Sequence, residues 1–296
     1  MKKTTLSLAF LALAMGLNSC SNDNENEVAA PKCITVSTEI GSMTRLGTGA
    51  NGEQIFADGD QISVYAWTGD ATTAPGEGRV VDNSINTYDG KTWTANPQML
   101  WMNTNDKHYF IALYPKTETS VSDLENFDYT LDTSNQEKSD LLVATNLTGL
   151  TSSDNPVPLN FSHVMAKVQV GLSFRNQWGG TPTVESVTLK DAMTTAKVNC
   201  LAKEVTASTP ANLNLPKVTQ NTLYSSIVVP QTDVQSIIIR IGSKDYKYNN
   251  PDGIRFESGK ITRVDLIVGR DEITLGTVSI DDWADGSVIS NGEAQE

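Results

Sequence analysis

ITVSTEIGSMTR, residues 34–45, opens the foldable part of the chain with a strict alternation. Ile34, Val36, Thr38 and Ile40 fall on one side, and Thr35, Ser37 and Glu39 on the other. This is the two-residue period of a half-buried β-strand. The alternation stops at Gly41, and a single arginine, Arg45, stands ahead of the glycine-rich run LGTGANG at 46–52. No other Lys or Arg lies between Lys32 and Arg79. A strand therefore gives way to an extendable segment with one long cation, the kind of segment that proteases open.

The same period recurs downstream. QISVYAW (61–67) alternates Ile62, Val64 and Ala66 against Ser63, Tyr65 and Trp67. NTYDGKTW (86–93) carries Asp89-Gly90 at its centre, a strong hairpin signal. KHYFIALYP (107–115) is mostly apolar, which suits a strand buried on both faces and stopped by Pro115. LNFSHVMAKVQVGLSF (159–174) is long enough for one bent strand or two, and six further runs follow, ending with EITLGTVSI (272–280). Gly, Pro, Asn and Asp separate these runs, as in β-sandwiches. Helices are scarce: 136–147 and 191–205 could each hold a short one, and neither carries an apolar stripe. The stretch LTGLTSSDNPVP (147–158) has the composition of a joint. The expected fold is all-β, with two tandem β-sandwich domains at 33–152 and 153–296.

The start of the chain reads as an export signal. Lys2 and Lys3 precede a short apolar run at 6–17, shorter than the roughly 20 residues that cross a bilayer. The run ends in LNSC (17–20), similar to a bacterial lipobox, in which the peptidase cuts before the cysteine and acyl chains are attached to it. Residues 1–19 are thus expected to be a lipoprotein signal peptide, Cys20 the lipidated residue that anchors the protein in the outer membrane, and residues 20–32 an acidic tether. Without residues 1–19 the chain has 20 basic against 35 acidic side chains, a net formal charge of −15. Such a surface repels phosphate backbones, so nucleic acid is not expected as a partner.

No catalytic pattern is present. The chain has two histidines, His108 and His163, and no HExxH, GxSxG, CxxC or P-loop sequence. Asp58–Asp60 and residues 281–286 are acidic turns without the spacing of a calcium loop. Neither enzymatic activity, nor a cofactor, nor a metal is expected. Of five tryptophans, Trp67 and Trp93 sit in strand patterns, while Trp101 and Trp178 are the more plausible exposed ones for a glycan platform. Cys33 and Cys200 are expected to be unjoined thiols.

Several stretches in order resemble the fimbrillin family, the pilin-type surface lipoproteins of Bacteroides-like bacteria. They are the lipobox, STEIGSMTR (37–45), FADGDQISVYAW (56–67), YFIALYP (109–115), VPLNFSHVMAKVQVGL (157–172) and VSIDDW (278–283). The family includes shaft subunits, anchors, tip adhesins and surface proteins. The resemblance implies two transthyretin-like β-sandwiches and assembly of surface fimbriae by strand exchange. An arginine-specific protease would cut the Arg45–Leu46 bond and release the first strand, with Ile34, Val36, Thr38 and Ile40. A strand of another subunit, generally its C-terminal segment, would fill the groove. Here EITLGTVSI offers Thr274, Val278 and Ile280 on one face around Gly276, whereas the polar tail at 284–296 is poor donor material. The alternative is a surface-anchored lipoprotein that does not polymerise and binds a glycan or a host protein.

Overall fold

Residues 32–40 and 56–282 are described by the computed structural model. Where β-branched and aromatic residues alternate with polar ones, the chain is extended. The strands in chain order are β1 (Val36–Ile40), β2 (Gln61–Thr68), β3 (Val81–Tyr88), β4 (Trp93–Asn96), β5 (His108–Tyr114), β6 (Phe127–Thr130), β7 (Leu142–Leu150), β8 (Val157–His163), β9 (Ala166–Phe174) and β10 (Val184–Met193). They continue with β11 (Thr195–Asn199), β12 (Glu204–Ala207), β13 (Pro210–Asn214), β14 (Lys217–Thr219), β15 (Leu223–Val228), β16 (Gln231–Ile241), β17 (Lys244–Phe256), β18 (Lys260–Val268) and β19 (Ile273–Asp282). The one α-helical turn among the described residues is α1 (Gln136–Ser139), within the stretch where a short helix was expected. The other such stretch, 191–205, is instead β11, β12 and the end of β10. The reason is visible in its period: Ala196 and Val198 are buried while Lys197 between them is exposed, which suits a strand and not a helix.

The first sheet has seven strands in the order β1-β8-β7-β5-β2-β3-β4. Its centre, β5, is buried along its whole length, as its continuous apolar run foretold. Phe110, Ala112 and Tyr114 enter one hydrophobic core with Ile62, Val64 and Phe161. Tyr109, Ile111 and Leu113 enter a second, larger core on the other face. That second core continues between a four-stranded sheet, β13-β10-β16-β17, and a five-stranded sheet, β14-β15-β9-β18-β19. Val187, Leu189, Ile237 and Ile239 of the former and Val168, Val170, Val264 and Leu266 of the latter fill it, a sandwich built from alternating inward residues. A three-stranded sheet, β12-β11-β6, joins a strand from early in the chain to two later ones.

The run at 159–174 resolves into two strands in different sheets, β8 and β9. The loop at 151–156 connects β7 and β8, antiparallel neighbours of the first sheet. The chain therefore leaves that sheet at Val164, later than the joint expected at 147–158.

Trp101 is buried, contrary to the expectation of an exposed platform. It packs edge-on to His108 at 4.9 Å and to Phe110 at 5.8 Å. Trp178 is half-buried, and its Nε1 donates to the Val268 carbonyl at 3.0 Å. Both rings are used for packing, so a glycan platform on them is not supported. Cys200 is buried and not joined to Cys33, and burial pushes its thiol up to about 12.

Two outcomes are expected. Ile111→Ala, which opens a hole in the larger core, lowers the unfolding free energy by about 2–5 kcal/mol in urea titration. Cys200, protonated and enclosed, resists iodoacetamide at pH 8.5 in the folded protein and is labelled at once in 8 M urea, about a denaturing dose, as intact mass would record.

Candidate functional site

The first strand is held from both sides. Along β1 the partner is β8, in parallel, with Val36 opposite Val157, Thr38 opposite Leu159 and Ile40 opposite Phe161. Just before β1, the chain meets the segment that follows β4 at the opposite edge of the same sheet. Ile34 N–H donates to the Met99 carbonyl at 2.9 Å, Trp101 N–H donates to the Lys32 carbonyl at 3.0 Å, and Cys33 bridges Leu100. Residues 32–40 thus close the seven-stranded sheet into a ring around the smaller core.

Side chains fix this strand in place. Ile34, 1% exposed, and Val36 point into the smaller core, each contributing about 1.5–3 kcal/mol by burial. Thr38 and Ile40 lie on the same side and are half-buried, and Thr35, Ser37 and Glu39 face solvent. Asn155 holds the outer side at two points: Thr35 N–H donates to Asn155 Oδ1 at 2.8 Å, and Asn155 Nδ2 donates to Thr35 Oγ1 at 2.9 Å. On the inner side Trp93 Nε1 donates to Thr38 Oγ1 at 3.0 Å. Phe56 braces Trp93 at 5.0 Å and Phe161 at 5.3 Å, both edge-on. Sequence reasoning placed the strand and missed its fasteners, because Trp93 and Asn155 lie 55 and 120 residues from their threonines.

The other element of interest is β19, the outer strand of the five-stranded sheet. Its ladder with β18 skips Gly276: Thr277 pairs with Asp265 and Leu275 with Leu266. This bulge reverses the facing beyond it. Leu275, not Thr274, therefore shares a face with Val278 and Ile280, which corrects the set expected from simple alternation. These three remain 43%, 42% and 39% exposed although the opposite residues Leu266 and Val264 are buried. Polar contacts hold the strand to its own subunit. Thr277 Oγ1 donates to Asp265 Oδ2 at 2.7 Å, Arg175 Nη2 donates to Thr274 Oγ1 at 3.1 Å, and Arg263 pairs with Asp281 at 2.5 Å. Lys260 pairs with Asp282, and that hydrogen bond raises the lysine above its usual range.

Elsewhere a cleft of about 640 Å³ runs between β6 and the segment after β5, with Asp60, Lys116, Glu118, Asp128 and Asp132 on its walls. Lys116 pairs with Glu118 at 3.0 Å. His163 forms a buried pair with Asp140 at 2.7 Å, as a structural histidine would. Among the described residues no group of three His, Cys, Asp or Glu side chains comes together for a metal ion. Cys20, Arg45, Leu46, Trp283 and the tail at 284–296 lie outside the described residues.

Comparison with known proteins fits this architecture. A family model described as fimbrillin-like matches residues 44–283. A candidate fimbrium subunit of Bacteroides uniformis, Fim1C, is 30% identical over 174 residues, 57% of this chain and 55% of that protein. The chain thus spans little more than half the length of that relative. Among solved structures, a candidate cell adhesion protein of Bacteroides uniformis superposes with a TM-score of 0.65 at 16% identity, over 85% of this chain and 98% of that one. The tip fimbrial protein Mfa3 of Porphyromonas gingivalis, with a C-terminal truncation, gives 0.52 at 10% identity, over 76% and 94%. At such identities the structures speak for the fold alone. The match across most of the chain, on an all-β frame with the expected strands, shows that this protein belongs to the fimbrillin-like family.

Proposed function

We propose that the protein is a structural subunit of a cell-surface fimbria with a role in adhesion, exported as a lipoprotein precursor and assembled by strand exchange. The observation that carries this reading is the closure of the seven-stranded sheet by residues 32–40, a segment that ends just ahead of Arg45. Cutting the Arg45–Leu46 bond frees that segment from everything downstream. Its departure uncovers the edge of β8, the segment at 99–101 and the apolar seats of Ile34 and Val36. A row of unpaired donors and acceptors beside an apolar trough invites a new strand.

The donor in this reading is β19 of a second copy. It has one ladder neighbour in its own sheet, and its large apolar side chains are exposed. Cys20, lipidated, holds the precursor to the outer membrane until the cut separates it from the folded part. Several acyl chains on one residue give stable anchoring, where a single chain is marginal.

Two measurements test the reading. Limited trypsin digestion of the folded, unlipidated chain gives one early cut after Arg45 by intact mass, followed by SDS-resistant ladders. Arg45→Ala suppresses both. Resistance at that bond, or a clean cut that leaves only monomers, contradicts assembly by this route and favours a closed surface protein that binds a glycan or host protein. In cells, Cys20→Ser abolishes incorporation of labelled palmitate, and retained label would place the anchor elsewhere.

A further inference from the structure

We infer that the seat of β1 reads two threonine hydroxyls, and that β19 of a second copy enters it in the single register that supplies both. The inference rests on the strand-exchange reading above and adds to it the register and the residues that set it.

The seat has an outer and an inner reader. Asn155 grips the backbone N–H and the hydroxyl of Thr35 on the solvent side, and Trp93 donates to the hydroxyl of Thr38 on the core side. The two threonines are three residues apart on opposite faces of the extended segment 34–40. A slip of one residue turns each side chain to the wrong face, so the pair of readers fixes register and facing together. Ile34 and Val36, on either side of Thr35, fill the core. The seat therefore asks for apolar, Thr, apolar, any residue, Thr.

β19 begins with that order. Ile273-Thr274-Leu275-Gly276-Thr277 runs in the same direction as Ile34-Thr35-Val36-Ser37-Thr38, with three identities in five positions. Laid on β8 without its bulge, β19 would send Ile273, Leu275 and Thr277 inward and Thr274 to Asn155. Shifted by one, it would send Thr274, Gly276, Val278 and Ile280 inward, and the two readers would lose their partners. The spacing also occurs at Val205-Thr206-Ala207-Ser208-Thr209, but β12 pairs with β11 and only two residues link it to β13 in another sheet, which leaves it no slack to reach a second copy. It occurs again at 129–133, with Tyr129 where the core accepts Ile34. In the closed subunit the same two β19 hydroxyls are held by Arg175 and Asp265. Docked and exchanged states thus use one pair of side chains.

The test uses the full chain cut after Arg45 and freed of its first strand, with fluorescent synthetic peptides covering residues 272–282 as probes. Anisotropy gives the affinity. Thr274→Val and Thr277→Val each weaken binding by about fivefold, the effect of one hydrogen bond. The Thr274→Val penalty disappears on an Asn155→Ala acceptor, and the Thr277→Val penalty on a Trp93→Phe acceptor. The two cycles are independent, so either acceptor suffices if the other fails to fold. Valine peptides that bind as well as the natural one, or penalties that persist on the altered acceptors, overturn the hydroxyl readout and leave strand exchange standing. No binding of the natural peptide overturns strand exchange by β19 and the readout with it.

Discussion

An open β-sheet cannot leave its edge unpaired against an apolar trough without penalty, and this constraint organises the molecule. Without β1 the sheet has six strands and two open ends, the edge of β8 and the segment after β4, and nine residues at the start of the described chain cover both. Backbone hydrogen bonds give the cover its reach, and Ile34 and Val36 give it weight. The readers at Thr35 and Thr38 add little energy, about 1 kcal/mol each, yet they decide which residue sits where. Affinity and specificity are carried by different groups on the same strand.

The division into two cores explains how such a cover could leave without unfolding the rest. Ile34 and Val36 belong to the smaller core, and no residue of β1 enters the larger one. The shared wall is β2, β5 and β7, whose alternate side chains serve the two cores separately. Loss of the first strand therefore strips one face of that wall. The sandwich on the other face keeps its full complement of side chains, from Val168 to Val268.

Local periodicity carried much of this information. The strand at 34–40, the doubly buried β5 and the hairpin at Asp89-Gly90 are all visible as patterns over a few residues. What escaped was non-local or hidden by one extra residue. The parallel partner of β1 lies some 120 positions away, and nothing near Thr35 announces Asn155. Trp101, in MLWMN outside any strand pattern, was among the more plausible exposed rings and is buried because it packs edge-on against His108 and Phe110 of β5. Gly276 looked like a neutral step in an alternating run, and its bulge moved Thr274 to the opposite face from Val278. The readings at Cys20 and Arg45 come from family resemblance and residue type, and both lie beyond the described residues.

The ion pairs along β19 add a different kind of control. Arg263–Asp281 and Lys260–Asp282 sit at the surface, with half or more of each carboxylate side chain exposed, or nearly so. Charges in such positions feel dissolved salt, whose screening length falls to about 8 Å at physiological ionic strength. The backbone ladder to β18 does not, whereas the hydrogen bonds of Thr274 and Thr277 each have one charged partner, Arg175 and Asp265. The grip on this strand therefore has a backbone part that persists in brine and an ionic part that weakens, and the ionic part stands at both ends: Arg175–Glu272 just before Ile273, and the pairs of Asp281 and Asp282. Salt therefore loosens the two ends of β19 together, and the backbone ladder along its middle is the last hold on its own subunit.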